Sequence, residues 1–174
     1  GIRIAGSIEA DFMDELMIRW TVRLSLLAGY LLLIRQAGGA GFTRADRAVW
    51  TAGCLLMIVH VMLAFHFAHH WSHAAAVQDT AEKTLQVVGR AYGGGVWFNY
   101  AFLLTWLADV CWWWKSEDAY RRRPTWIRLG LTLFWMFIVF NATVIFEAGL
   151  TRWAGAVLFG AWLTACLIAG IKRR

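Results

Sequence analysis

Apolar residues run along this chain in long unbroken blocks, and polar residues are pushed into the gaps between them. Five blocks approach the roughly 20 residues that a helix needs to cross a hydrocarbon core about 30 Å thick. They cover 17–34, 48–70, 95–114, 126–147 and 153–171. Only "AGLTR" separates the last two, but one bent element spanning both would be too long. The pattern predicts an all-α integral membrane protein: a single domain over 1–174, built as a bundle of five transmembrane helices.

The connections carry their own signals. Thr43 and Asp46 have the spacing of a capping box ahead of the second span. Pro124 suits the first turn of the fourth, where a missing N–H costs nothing. The longest loop is 72–94, and "DTAEKTLQVV" within it predicts a short interfacial helix with Asp79 as N-cap and Glu82 three residues on. That helix is expected to lie as a lid over the outer ends of the second and third spans. "GGG" at 93–95 then predicts a sharp, close-packed return into the bilayer.

Composition agrees with the runs. The chain is 60% hydrophobic and 16% charged, with 12 Trp and one Pro, whereas soluble domains carry about 25% charged residues. Trp71, Trp97 and Trp153 fall where one aromatic belt is expected, and Trp50, Trp112, Trp113, Trp114 and Trp126 where the other is. No cleavable signal-peptide pattern is visible at the start.

The net charge of +6 is set by topology and does not point to nucleic acid. With the N-terminus outside, Arg35, Arg44, Arg47, Lys115, Arg121, Arg122, Arg123, Arg128, Lys172, Arg173 and Arg174 all fall on one side, 11 of the 17 basic residues. That is the positive-inside signature, and such a surface also attracts anionic headgroups. Glu9, Asp11, Asp14, Glu15, Asp79, Glu82 and Glu147 fall at the opposite ends. The expected setting is a bacterial inner membrane, N-terminus outside and C-terminus cytoplasmic. Cys54, Cys111 and Cys166 lie inside apolar runs without an outward-facing partner and read as small packing residues.

Candidate chemistry gathers in "HFAHHWSH", which holds four of the five histidines within residues 66–73. If the second span stays helical there, an advance of about 100° per residue places His70, His73 and His69 within about 60° of His66, with Met62 one turn deeper. His60 faces another way. His66 with His70, and His69 with His73, then form two i, i+4 pairs, the spacing with which two imidazoles of one helix hold a metal. Glu147, Asp14, Glu15, Asn99 and Tyr100 are at matching depth, and Asp79 and Glu82 are within reach from the loop. Imidazole plus carboxylate suits iron, zinc, manganese or copper(II). The expected metal ligands are His66, His69, His70, His73 and Glu147; Glu147 doubles as a base, Asp79 as a catalytic partner and Glu82 as support. The blander reading is solvated interfacial histidines, Glu147 pairing with Arg23 or Arg152, and Asp79 and Glu82 capping their helix.

"HFAHH" also resembles the HxxHH box of the membrane fatty-acid desaturases and hydroxylases. The resemblance covers five of 174 residues and implies metal-activated oxygen chemistry at a membrane surface. Those families hold two irons with several such boxes, whereas this chain has five histidines in all, so their activity is not carried over. A haem or chlorin is the lesser alternative, with His60 as its single axial ligand and Arg19 and Arg23 near its propionates. Asp109 lies deep in the third span, at a depth that predicts a His60–Asp109 hydrogen bond, which would spare both the cost of lying unpaired in hydrocarbon.

Two functions follow from different classes. The first is a membrane metalloprotein with a histidine–carboxylate centre on its periplasmic face, performing redox or oxygen-activating chemistry or handling metal. The second is a non-catalytic small subunit of a larger respiratory or photosynthetic membrane complex, packing through "GAVLFGAWLTA" on its last span. Homo-oligomerisation is the further possibility for partners beyond the bilayer.

Overall fold

A computed structural model describes residues 2–172, with side chains from residue 12 onward. Among the described residues every regular element is helical: α1 (Ile2–Ala37), α2 (Arg44–Leu63), α3 (His73–Val88), α4 (Gly95–Lys115), α5 (Glu117–Arg121), α6 (Thr125–Phe140) and α7 (Gly149–Ile171). Single π-helical turns extend α2 through Ala64–Ala68 and α6 through Asn141–Ile145.

Four of these elements are long and apolar enough to cross a membrane: Phe12–Ala37, Arg44–Ala68, Thr125–Ile145 and Gly149–Ile171. α4 has a comparable length of 21 residues. Its apolar face is largely aromatic, with Trp97, Trp106, Trp112, Trp113 and Trp114 in the helix beside Asn99 and Asp109.

α1 and α2 form a hairpin whose closure is written into the sequence. Thr43 Oγ1 accepts from the Asp46 N–H (3.1 Å) and the Thr43 N–H donates to Asp46 Oδ2 (2.8 Å), completing the expected capping box. The same carboxylate receives Arg35 Nε and Nη2 from the end of α1, at 2.8 and 2.9 Å. In the interior, Ser25 Oγ donates to the Gly53 carbonyl at 2.6 Å. Small residues at that crossing let the backbones approach.

Three indoles fill the centre of the bundle. Trp50, Trp106 and Trp135 come from α2, α4 and α6, with ring centroids 4.9 to 5.4 Å apart. Each of two glycines makes room for one of them. A Cβ on Gly53 would lie 2.9 Å from the Trp106 ring, and one on Gly29 would lie 2.1 Å from Trp135. Tyr30 of α1 meets Thr143 of the second π turn at 3.3 Å, tying α1 to the end of α6.

The lid helix is longer than expected, and its cap is Ser72, whose Oγ accepts from the Ala75 N–H at 3.2 Å. Asp79 therefore sits inside α3 and does not cap it. α3 does pack against the start of α4. A Cβ on Gly93 would fall 2.6 Å from Val77 Cγ1 and 2.7 Å from Val77 O, so the glycine run gives the close contact its sequence implied.

A histidine corner and a buried aspartate

The second span does not stay helical through its C-terminal end, which corrects the single-stripe geometry of the four histidines. After the π turn, the His69 N–H donates to Ala64 O (3.0 Å) and the Trp71 N–H to Phe65 O (2.8 Å). The second bond spans seven residues, one more than in a Schellman motif, and it ends the helix with His70 in the left-handed position usually filled by glycine. His70 has φ 47° and Trp71 φ 60°. A left-handed conformation costs a non-glycine residue roughly 1–2 kcal/mol, so two in succession are a strained corner. The chain then turns into α3 at His73.

The break distributes the imidazoles. His66 accepts a long hydrogen bond from Trp71 Nε1 at Nδ1 (3.4 Å) and packs edge-on against Phe67. His73 Nδ1 lies 3.0 Å from the Tyr100 hydroxyl and packs near Trp97, so Tyr100 does meet the histidine segment as its depth suggested. His69 stands edge-on to Phe65, 5.6 Å between centroids. Burial holds the His69 ring below the usual imidazole range; the nearby Asp79 carboxylate opposes this, and Lys83 and His70 reinforce it. Asp79 and Lys83 of α3 thus lie near enough to His69 for their charges to act on its ring. Asp79 is also bridged to Lys83 at 2.7 Å, one turn along α3, and Glu82 accepts from Gln78 at 3.0 Å.

Other expected partners lie elsewhere. His60 donates from Nδ1 to the Ile18 carbonyl of α1 at 2.9 Å. Arg19 pairs with Glu15 one turn before it, and the Arg23 guanidinium sits 5.8 Å from the Trp20 ring. Glu147 lies in the link between the second π turn and α7, where its backbone carbonyl accepts from Arg152 Nε at 2.7 Å. Among the described residues, no three His, Cys, Asp or Glu side chains converge closely enough to hold a metal as they stand. The three cysteines are free thiols, and Cys54 alone is fully buried.

The expected His60–Asp109 bond is not formed, and what holds Asp109 went unforeseen. Its Oδ2 accepts from Trp50 Nε1 (2.9 Å) and from the Tyr120 hydroxyl (2.8 Å), and its Oδ1 accepts from Arg123 Nη1. The short α5 makes this possible by folding Tyr120 back so that its ring stacks on Trp113, 4.5 Å away and 7° from parallel. Arg123 then lies 4.0 Å over the Tyr120 ring. Burial, aided by the Asp109 carboxylate, pushes the Tyr120 phenol far above its usual range, so it remains a donor. Asp109, Tyr120 and Arg123, together with Trp106 and Trp135, line a cavity of about 30 Å³. The available sequence signal was a lone aspartate in an apolar run followed, past one short linker, by three consecutive arginines.

Comparison of the chain with protein-family models, curated proteins and solved structures returns no match.

Proposed function

We propose that this chain is a five-span membrane protein, N-terminus outside and C-terminus cytoplasmic in a bacterial inner membrane, that handles a transition-metal ion at the α2–α3 corner. α4 supplies the fifth crossing: at 21 residues it is about 31 Å long and runs between the lid helix and the arginine-rich α5 turn. The basic residues around α5 then face the cytoplasm.

The observation that carries the metal reading is the strained pair His70–Trp71 directly after His69. Strain of this kind persists where the surroundings impose it, and it concentrates at functional sites. A π turn immediately precedes the pair, and such turns recur at functional sites as well. His69, His70 and Asp79 form the nucleus of the site. His66 and His73 join when Trp71 and Tyr100 release them, and Glu147 completes the set from the end of α6. A half-buried His69 with exposed His66, His70 and His73 around a turn suits an ion that is taken up and passed on. Redox or oxygen-activating chemistry is the stronger form of the same reading, and it requires Glu147 and Asp79 to close on the ion.

The full chain, stripped with chelator in detergent and titrated with Zn²⁺ and Cu²⁺, tests this calorimetrically. The expected result is near-stoichiometric binding weakened at least tenfold in His69→Ala and in Asp79→Asn. Equal weak uptake by all three proteins overturns it.

A second reading has its own support. The outward side of α7 exposes Leu150, Trp153, Val157 and Leu167, each about 70% or more accessible, and a Cβ on Gly160 would meet nothing. An open small-residue notch on an apolar face suits a neighbouring helix, as an accessory subunit of a larger complex would require.

A further inference from the structure

Three buried N–H groups, Arg123 Nε, Trp106 Nε1 and Trp135 Nε1, have no hydrogen-bond partner, and their side chains line one cavity. The two indoles are 1% and 4% exposed and the Arg123 side chain 6%, so none reaches bulk solvent. A buried donor left unmade loses its hydration without return. All three unmet groups are donors, so what completes them is an acceptor. At about 30 Å³, the space takes one guest of roughly the size of a water molecule or a halide ion.

The choice between those guests follows from the lining. The Asp109 carboxylate is already engaged by Trp50, Tyr120 and Arg123. Thr105 spends its proton on the Ala101 carbonyl at 2.7 Å. A water has two lone pairs to offer three donors, whereas a monatomic anion accepts from all of them. The like charge of Asp109 opposes an anion, and the guanidinium offsets it by serving the carboxylate through Nη1 and the guest through Nε. We propose that this cavity is a halide site, with chloride held by Trp106 Nε1, Trp135 Nε1 and Arg123 Nε. Gln36 and Thr132, also in the lining, add donors. The site is independent of the histidine corner.

The test compares thermal unfolding of the full chain in detergent in sodium chloride, bromide and gluconate at equal ionic strength. Saturable stabilisation by chloride and bromide over gluconate is expected. Trp135→Phe keeps an aromatic ring on α6, removes the N–H, and is expected to raise the half-saturating halide concentration at least tenfold; Trp106→Phe serves if that variant does not fold. Crystals grown in bromide are expected to show an anomalous peak between the three nitrogens. Identical melting of the unmodified chain in all three salts, with no such peak, overturns the proposal and leaves a water in the cavity.

Discussion

The Arg123 guanidinium is buried against the Asp109 carboxylate, the two side chains 6% and 7% exposed. It binds the link after α5 to the interior of α4. Removing one member of a buried pair strands the other charge, which costs about 3–5 kcal/mol. Arg123→Met is therefore expected to lower the unfolding free energy in detergent by that amount. Adding Asp109→Asn is expected to recover most of the loss, and a double-mutant cycle reads the coupling directly.

Tyr120→Phe probes the same carboxylate more gently. It deletes the 2.8 Å hydrogen bond to Asp109 and leaves the ring stacked on Trp113. A hydrogen bond to a charged group contributes about 1.5–3 kcal/mol, and denaturant unfolding of the variant is expected to fall within that range.

Acid is expected to loosen the α2–α3 corner. His69 titrates below its usual range in the folded chain, chiefly through burial. The unfolded state thus takes up the proton first as pH falls. The stability this group supports is complete above the unfolded value of about 6.5 and is lost progressively as pH drops from there through the folded value. Protection of the amides of residues 69–73 from hydrogen exchange, corrected for the intrinsic slowing of exchange with acid, is expected to fall over that window in the native chain and to stay flat in His69→Gln.

Strain at the corner predicts an opposition between stability and metal uptake. Replacing His70, at φ 47°, by glycine relieves a left-handed conformation worth roughly 1 kcal/mol or more. The variant is expected to unfold at higher temperature while binding zinc more weakly. A variant that gains stability with unchanged zinc affinity would separate the strain from the metal.

Topology is checked by labelling. Ala74→Cys on α3 and Ala119→Cys on α5 both lie at exposed positions. If α4 crosses the bilayer, a membrane-impermeant maleimide added to intact cells reacts with the first and not the second. Equal labelling would place α3 and α5 on one side and reduce the crossings to four.

α1 starts at Ile2 where the apolar run starts at 17, α3 starts six residues before the expected 79, and α5 was not foreseen. The sequence made the long apolar helices legible all the same, because apolar runs and local caps are read without tertiary information. Thr43 and Asp46 show this, since each partner of their capping box lies within one turn. The close contact at Gly93 was likewise implied by composition alone. The pairing of His60 with Asp109 was not obtainable this way. Counting residues from the helix ends fixes depth but not direction: His60 faces α1, while Asp109 faces Trp50 and the α5 turn. The corner was hidden for a different reason. Left-handed turns are signalled by Gly or Asn, and here His70 and Trp71 adopt them, so the apolar run gave no sign of where the helix stopped.

The contacts that close α1 on α2 have a consequence for how the chain is made. Ser25–Gly53 and Arg35–Asp46 both join segments that leave the ribosome before α4 exists. The first hairpin thus holds partners for these polar groups within itself and leaves notches at Gly29 and Gly53 for rings from later helices. Assembly of the bundle then amounts to seating two indoles, Trp106 and Trp135, from helices that follow the hairpin in the chain.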